Sequence, residues 1–167
     1  MPIFARCETS GMTEPVGQSV YLETNFFIKA VEGTAETAAA PKRLITHLRT
    51  RPGAAVTSEI TFAETLAPPR RADALPLHIK RRVYLDLLLW SGFISLIPVS
   101  RDVLIETADL RTVAKMKLPD AIHLVSAIRA KCEYLVSSDK DFKNLPAGMM
   151  HVQPDDEGIN KLLSVLA

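Results

Sequence analysis

Little in this chain points to a zinc site or a disulfide scaffold. Only two cysteines occur in 167 residues, Cys7 and Cys132, far apart and without metal-ligand spacing, and the histidines form no cluster with them. That usage suits a reducing cytosol in which both thiols are inert. A charge surplus is also missing: the net charge of +1 gives no global attraction to nucleic acid or membrane. The longest apolar stretch, Tyr84 to Val99, is interrupted by Asp86, Ser91, Gly92, Ser95 and Pro98, which excludes a membrane span. Residues 1–19 lack the basic start and continuous apolar run of a secretion signal and read as a loosely ordered extension, with Met12 as an alternative start. Repeats and low-complexity segments are absent. What is present is apolar content of 47%, enough to fold residues 20–167 as one domain with a sizeable core.

Short apolar segments alternate with helical ones. Val20-Tyr21-Leu22 reads as a buried strand, and Asn25 to Glu32 as a helix stopped by Gly33. Ala35 to Leu48 is helical, with a break or fresh start expected at Pro41. After the Pro52-Gly53 turn, Ala54 to Thr57 is a second strand, and Ser58 is expected to cap a helix that Pro68-Pro69 must end. Further helices are expected at Leu77 to Trp90, Ser100 to Lys115, Asp120 to Lys131 and Asp156 to Leu166. Strands are expected at Phe93 to Val99, Glu133 to Ser137 and Met150 to Gln153. This order predicts an α/β fold around a short parallel sheet covered on both faces.

Carboxylates stand where such a fold places its sites, at the carboxyl ends of parallel strands. Glu23 closes the first strand, and Asp139 follows the fourth in Leu135-Val136-Ser137-Ser138-Asp139. The plain account of each is a turn residue that caps the next helix. Glu64 lies on a short helix with apolar neighbours, where a solvated position or an ion pair would explain it. Asp120 opens a largely apolar helix, where the macrodipole favours an acid by about 0.3–1 kcal/mol. If all four converge, they repel one another unless cations sit among them, and hard cations such as Mg²⁺ or Mn²⁺ take oxygen ligands.

Four segments carry a family resemblance: Tyr21-Leu22-Glu23-Thr24-Asn25, Ser58-Glu59-Ile60 through Glu64, Leu118-Pro119-Asp120-Ala121-Ile122-His123, and Val136-Ser137-Ser138-Asp139-Lys140-Asp141-Phe142. From Val20 to about Pro154 the chain resembles the PIN-domain ribonucleases, and within them the VapC-type toxins of bacterial toxin–antitoxin systems. The resemblance implies a three-layer α/β sandwich with four to five parallel strands. It implies a cytoplasmic endoribonuclease that uses Mg²⁺ or Mn²⁺, with Glu23, Glu64, Asp120 and Asp139 in the metal and catalytic positions. Asn25 and Ser137 then fall where small polar residues support the site, and Asp141 is an outer acid or a turn residue. Glu23 departs from the family pattern, which usually has Asp there. His123, on an apolar helix, reads as packed or as a residue behind the ligands, not as a general base. Water attack would leave a 5′-phosphate and a 3′-hydroxyl.

Partners follow from the charge distribution and from the resemblance. Residues 42–82 hold nine basic residues against three acidic ones, a local net charge of +6, and Arg70-Arg71 is the expected contact for an RNA backbone, with tRNA among the candidate substrates. The apolar helix from Leu77 to Trp90 offers a homodimer face, and an antitoxin protein is the implied partner. Two other readings stand beside this one. In the first, the chain is a PIN-like RNA- or protein-binding module whose metal site is impaired by Glu23. The second, a phosphatase with an aspartyl nucleophile, is disfavoured because Glu23 would be the nucleophile and Asn25 replaces the second acid.

Overall fold

The computed structural model describes residues 19–68, 75–143 and 145–167. Five strands, β1 (Val20–Leu22), β2 (Ala55–Ser58), β3 (Ile94–Ile97), β4 (Tyr134–Val136) and β5 (Met150–Val152), form one parallel sheet in the order β3-β2-β1-β4-β5. Among the described residues seven α-helices connect them: α1 (Thr24–Glu32), α2 (Ala35–Arg49), α3 (Ile60–Thr65), α4 (Leu77–Leu85), α5 (Arg101–Val113), α6 (Leu118–Arg129) and α7 (Asp156–Leu166). The fold is the expected α/β sandwich. The loosely ordered extension expected at the N-terminus lies outside the described residues up to position 18. Ser19 is buried, and its carbonyl accepts from the amides of Glu133 and Tyr134.

The two-residue period of the strands divides the core in two. Val20 and Leu22 point to one face, where Phe26 and Phe27 of α1, Leu44 and Leu48 of α2, and Ile159 and Leu162 of α7 cover them. Tyr21, Val56 and Leu135 point to the other face, against Leu124 and Ala127 of α6. Every residue of β1 and β4 is buried, which is why both segments read as continuous apolar runs. A smaller cluster of Val103, Ile122 and Val125 joins α5 to α6.

Three local expectations are corrected. Pro41 neither breaks nor restarts the helix but lies inside α2. Its missing N–H forfeits a bond to the carbonyl of Thr37, an exposed residue, while burial of Ala38, Ala40, Leu44, Ile45 and Leu48 holds the helix together. Ser58 is not a cap; it ends β2, paired with Ile97, and Glu59 takes the cap position without a side-chain capping bond. The segment Leu77 to Trp90 is α-helical only to Leu85 and then widens into a π-helical turn over Asp86–Trp90. Cys132 is buried, and that burial pushes its thiol up to about 12, so it stays protonated; Cys7 lies outside the described residues.

A polar bracket ties α4 to α1. Tyr84 donates to Glu32 Oε1 at 2.6 Å, and the buried Lys80 ammonium lies 3.5 Å from the same oxygen and 5.9 Å from the Tyr84 ring centre. Burial, followed by the neighbouring Glu32 carboxylate, raises the Tyr84 hydroxyl far above its ordinary value, so it remains a donor. Tyr84→Phe should therefore cost about 1.5–3 kcal/mol in urea denaturation, the value of a hydrogen bond to a charged group. A loss below about 0.5 kcal/mol would show that water replaces the hydroxyl at no cost.

Candidate metal centre

In the order β3-β2-β1-β4-β5 the chain runs outward from β1 to β3 and then returns to the other side of β1, so the switch point lies between β1 and β4. The register pairs Leu22 with Val136, and the Glu23 amide donates to the Val136 carbonyl at 3.1 Å. Glu23 and Ser137 therefore leave the sheet side by side. Glu23 is the N-cap of α1 in extended conformation, and its Oε2 accepts from the Asn25 amide at 3.0 Å and from the Ser137 hydroxyl at 3.1 Å. The residue is 4% exposed. Burial raises its carboxyl, and Glu64 adds to the rise, against the lowering influence of His123, the Asn25 amide and Ser137.

Glu64 reaches the same place from α3. Its Oε2 accepts from the Thr24 hydroxyl at 2.5 Å and from His123 Nε2 at 3.0 Å. His123 is fully buried on α6, and its Nδ1 lies 2.7 Å from the hydroxyl of Tyr21, itself fully buried in β1. The Glu64 carboxylate accepts, so Nε2–H of His123 faces it, while the Tyr21 hydroxyl, which burial keeps protonated, stands within hydrogen-bond reach of Nδ1. For Glu64, burial raises the carboxyl but His123 and Thr24 outweigh it, and the net shift is downward. Buried Thr57 and Thr61 continue this network: Thr61 Oγ lies 3.2 Å from Thr24 Oγ and 3.0 Å from Thr57 Oγ, and Thr57 donates to the Leu22 carbonyl at 2.7 Å. Glu23, Glu64 and His123 present ligand atoms within 4.8 Å of one another.

A second group stands beside the first. Asp120, in the first turn of α6, meets Asp139 and Asp141 with carboxylate oxygens within 4.8 Å of one another. The Asp141 amide donates to Asp139 Oδ1 at 2.9 Å, and the Asp139 amide donates to Ser137 Oγ at 2.9 Å. Ser137 thus joins the two groups, donating to Glu23 while accepting from Asp139. Asp120 Oδ2 is shielded from solvent and has no hydrogen-bond partner among the described residues. Burial raises the Asp120 carboxyl, Asp139 and Asp141 add to the rise, and Lys117 and His123 oppose it. An orphaned carboxylate oxygen among three acids is a donor set that fits a hard divalent cation.

The four expected acids do gather at the carboxyl ends of the strands, but as two groups: no set of three or more described ligands mixes Glu23 or Glu64 with Asp120 or Asp139. Asn25 holds Glu23 through its backbone amide, and its exposed side chain bonds to none of these groups. Arg70 and Arg71 lie outside the described residues. Sequence reading passed over Tyr21 and Thr24. The available signal was the run Thr57, Thr61, Thr65 at intervals of four beside Glu64, a polar stripe on what proves to be a buried face.

The family model of the PIN domain matches residues 20–148. The fold is similar to that of a toxin–antitoxin complex from Klebsiella pneumoniae, at 28% identity and a TM-score of 0.59 over 81% of this chain and 98% of that one. It is also similar to VapBC2 from Rickettsia felis bound to a promoter DNA fragment (16% identity, TM-score 0.59, 81% and 98% covered). A third similar structure is VapC20 from Mycobacterium tuberculosis, a sarcin-ricin loop cleaving toxin (16%, 0.56, 70% and 87%). Among curated proteins none matches the sequence.

The raised Asp120 carboxyl sets a pH dependence. A group that protonates more readily when folded stabilises the fold most at low pH, and this contribution is lost as pH rises through its folded range. Asn cannot ionise, so Asp120→Asn should gain melting temperature relative to the parent as pH rises from about 4 to about 7 in chelator. A variant that melts lower than the parent throughout would make Asp120 a structural helix cap.

Proposed function

The chain belongs to the PIN-domain family, and from that premise we propose that it is a metal-dependent endoribonuclease, the toxin of a type II toxin–antitoxin pair. The observation that carries this reading is the buried, unpartnered Asp120 Oδ2 facing Asp139 and Asp141 beside a second carboxylate group. Asp120, Asp139 and Asp141 would hold one Mg²⁺ or Mn²⁺, with Glu23 and Glu64 completing the acidic wall. A bound divalent ion supplies a more acidic water and screens the charge on the phosphate. The chain's own residues do the positioning. Tyr21 fixes the His123 ring, and His123 with Thr24 keeps Glu64 ionised and aimed. Ser137 and the Asn25 amide hold Glu23. In-line attack by water on RNA then leaves a 5′-phosphate and a 3′-hydroxyl.

An antitoxin is the proposed protein partner, supported by the similar structure from a toxin–antitoxin complex. An arginine suits the two carboxylate groups, since its planar fork binds carboxylates in bidentate fashion. A homodimer is proposed through the apolar surface of α4 and the π-helical turn, where Ile79, Leu89 and Trp90 are 40%, 50% and 64% exposed. The proposed location is the cytoplasm; no helix among the described residues is long and apolar enough to cross a membrane. A second reading, a binding module with an impaired metal site, is favoured by Glu23 alone. Its Oε2 is already engaged as helix cap and Ser137 acceptor, and burial makes the charged form costly.

Two measurements decide between these readings. Glu23→Gln should abolish Mn²⁺-dependent cleavage of a single-stranded RNA, whereas Glu23→Asp should retain or raise it; equal cleavage by Glu23→Gln and parent would remove Glu23 from the site. Titration calorimetry should show Mn²⁺ binding to the parent and weaker binding to Asp120→Asn. No binding to the parent at millimolar metal would establish the binding-module reading instead. For the dimer, Trp90→Glu should shift the sedimentation coefficient to that of a monomer, and an unchanged value would place the interface elsewhere.

A further inference from the structure

A surface cleft of about 520 Å³ opens beside the second carboxylate group. One wall is α1, through Asn25, Ile28 and Lys29, and the other is the turn after β4, through Ser138, Asp139 and Lys140. Asp139 thus belongs to both the cleft and the acidic group. Lys29 lines it from α1 and Lys140 from the turn, and neither lysine pairs with a carboxylate among the described residues. The Asn25 side chain is exposed, and Ser138 Oγ is shielded from solvent without a hydrogen-bond partner among the described residues. Ile28 adds an apolar surface between them.

These donors match a phosphodiester. Lys29, Lys140 and the exposed Asn25 share the cleft lining with one carboxylate, Asp139, and Ile28 gives a sugar or base edge something to rest on. The volume falls within the roughly 300–1,000 Å³ typical of small-ligand sites, which is room for one nucleotide unit and not for a duplex. We propose that this cleft is the subsite for an unpaired ribonucleotide adjoining the scissile phosphate, with Lys29 and Lys140 on its phosphate oxygens. The assignment rests on the ribonuclease reading above and deepens it. It places a substrate contact on α1 and on the turn after β4, outside the basic window that ends at Arg82. The cations stand next to the acids, so the strand's negative charge is held beside a wall that would otherwise repel it.

The test is fluorescence anisotropy of a labelled, cleavage-resistant 2′-O-methyl single-stranded oligonucleotide at several salt concentrations, with the full chain and without divalent metal. Lys29→Gln and Lys140→Gln keep length and polarity but remove charge. Each should weaken binding a few-fold, and the double variant about tenfold, with the log–log salt slope reduced by about 1.4, or about 0.7 per lost phosphate contact. Lys161→Gln, an exposed cation of α7 paired with Glu157 outside the cleft, should change neither value. Melting curves check that each variant is folded. If the parent binds and the double variant matches it in affinity and slope, the subsite is wrong and the ribonuclease reading stands. If the parent binds no RNA either without metal or with added Mn²⁺, both fall. If instead a polyglutamate peptide binds and the two lysine variants abolish that binding, the cleft is a seat for an acidic protein segment and this proposal is overturned.

Discussion

Everything at the candidate centre depends on the hydrogen-bonded pairing of β1 with β4. Because Leu22 stands opposite Val136 and the Glu23 amide bonds to the Val136 carbonyl, Glu23 and Ser137 emerge together at the switch point. A slip of one residue would turn Glu23 to the other face of the sheet and bring Tyr21 out of reach of His123. The register is protected by full burial: Val20 and Leu22 fill one core, and Tyr21 and Leu135 the other. The buried strands thus fix the polar groups at their ends through their register.

The extra methylene of Glu23 gains a physical role in this geometry. Helix caps are ordinarily Ser, Thr, Asp or Asn, whose short side chains fold back onto the next turn. Glu23 caps α1 through one oxygen and also reaches Ser137 with it, while Oε1 faces His123 Nε2 at 4.0 Å. The shared Ser137 hydroxyl links this group to Asp139, so the two carboxylate groups are positioned by a common residue while remaining separate sets.

The electrostatics of the two groups differ in kind. Glu64 stays ionised because His123 and Thr24 donate to it, which lowers its carboxyl although partial burial alone would raise it. No described residue donates to Asp120 Oδ2, and the carboxyl is pushed upward by burial and by Asp139. Glu64 is therefore satisfied by the protein itself, whereas Asp120 keeps an oxygen without a partner among the described residues. A fold retains such a strained position when a partner other than the protein relieves it, and that asymmetry makes the Asp120 group the stronger candidate for a cation.

The sequence by itself determined the alternation of strands and helices, because buried parallel strands must be apolar on both faces and amphipathic helices must cover them. It also determined that Glu23 and Asp139 end neighbouring kinds of element, since acids after buried strands are conspicuous in so apolar a chain. Helix and strand ends were less legible: Ser58 has the chemistry of a cap, yet strand pairing with Ile97 claims its backbone, and Pro41 is overridden by the packing of its own helix. The sequence was silent on the division of the acids into two groups. It was equally silent on the bonds of Tyr21, Thr24 and His123, which come from β1, α1 and α6 and lie as much as 102 positions apart. Such contacts depend on the angle at which α6 crosses the sheet and on the depth of each side chain. Those quantities are set by core packing across the whole chain, so only the tertiary structure decided them.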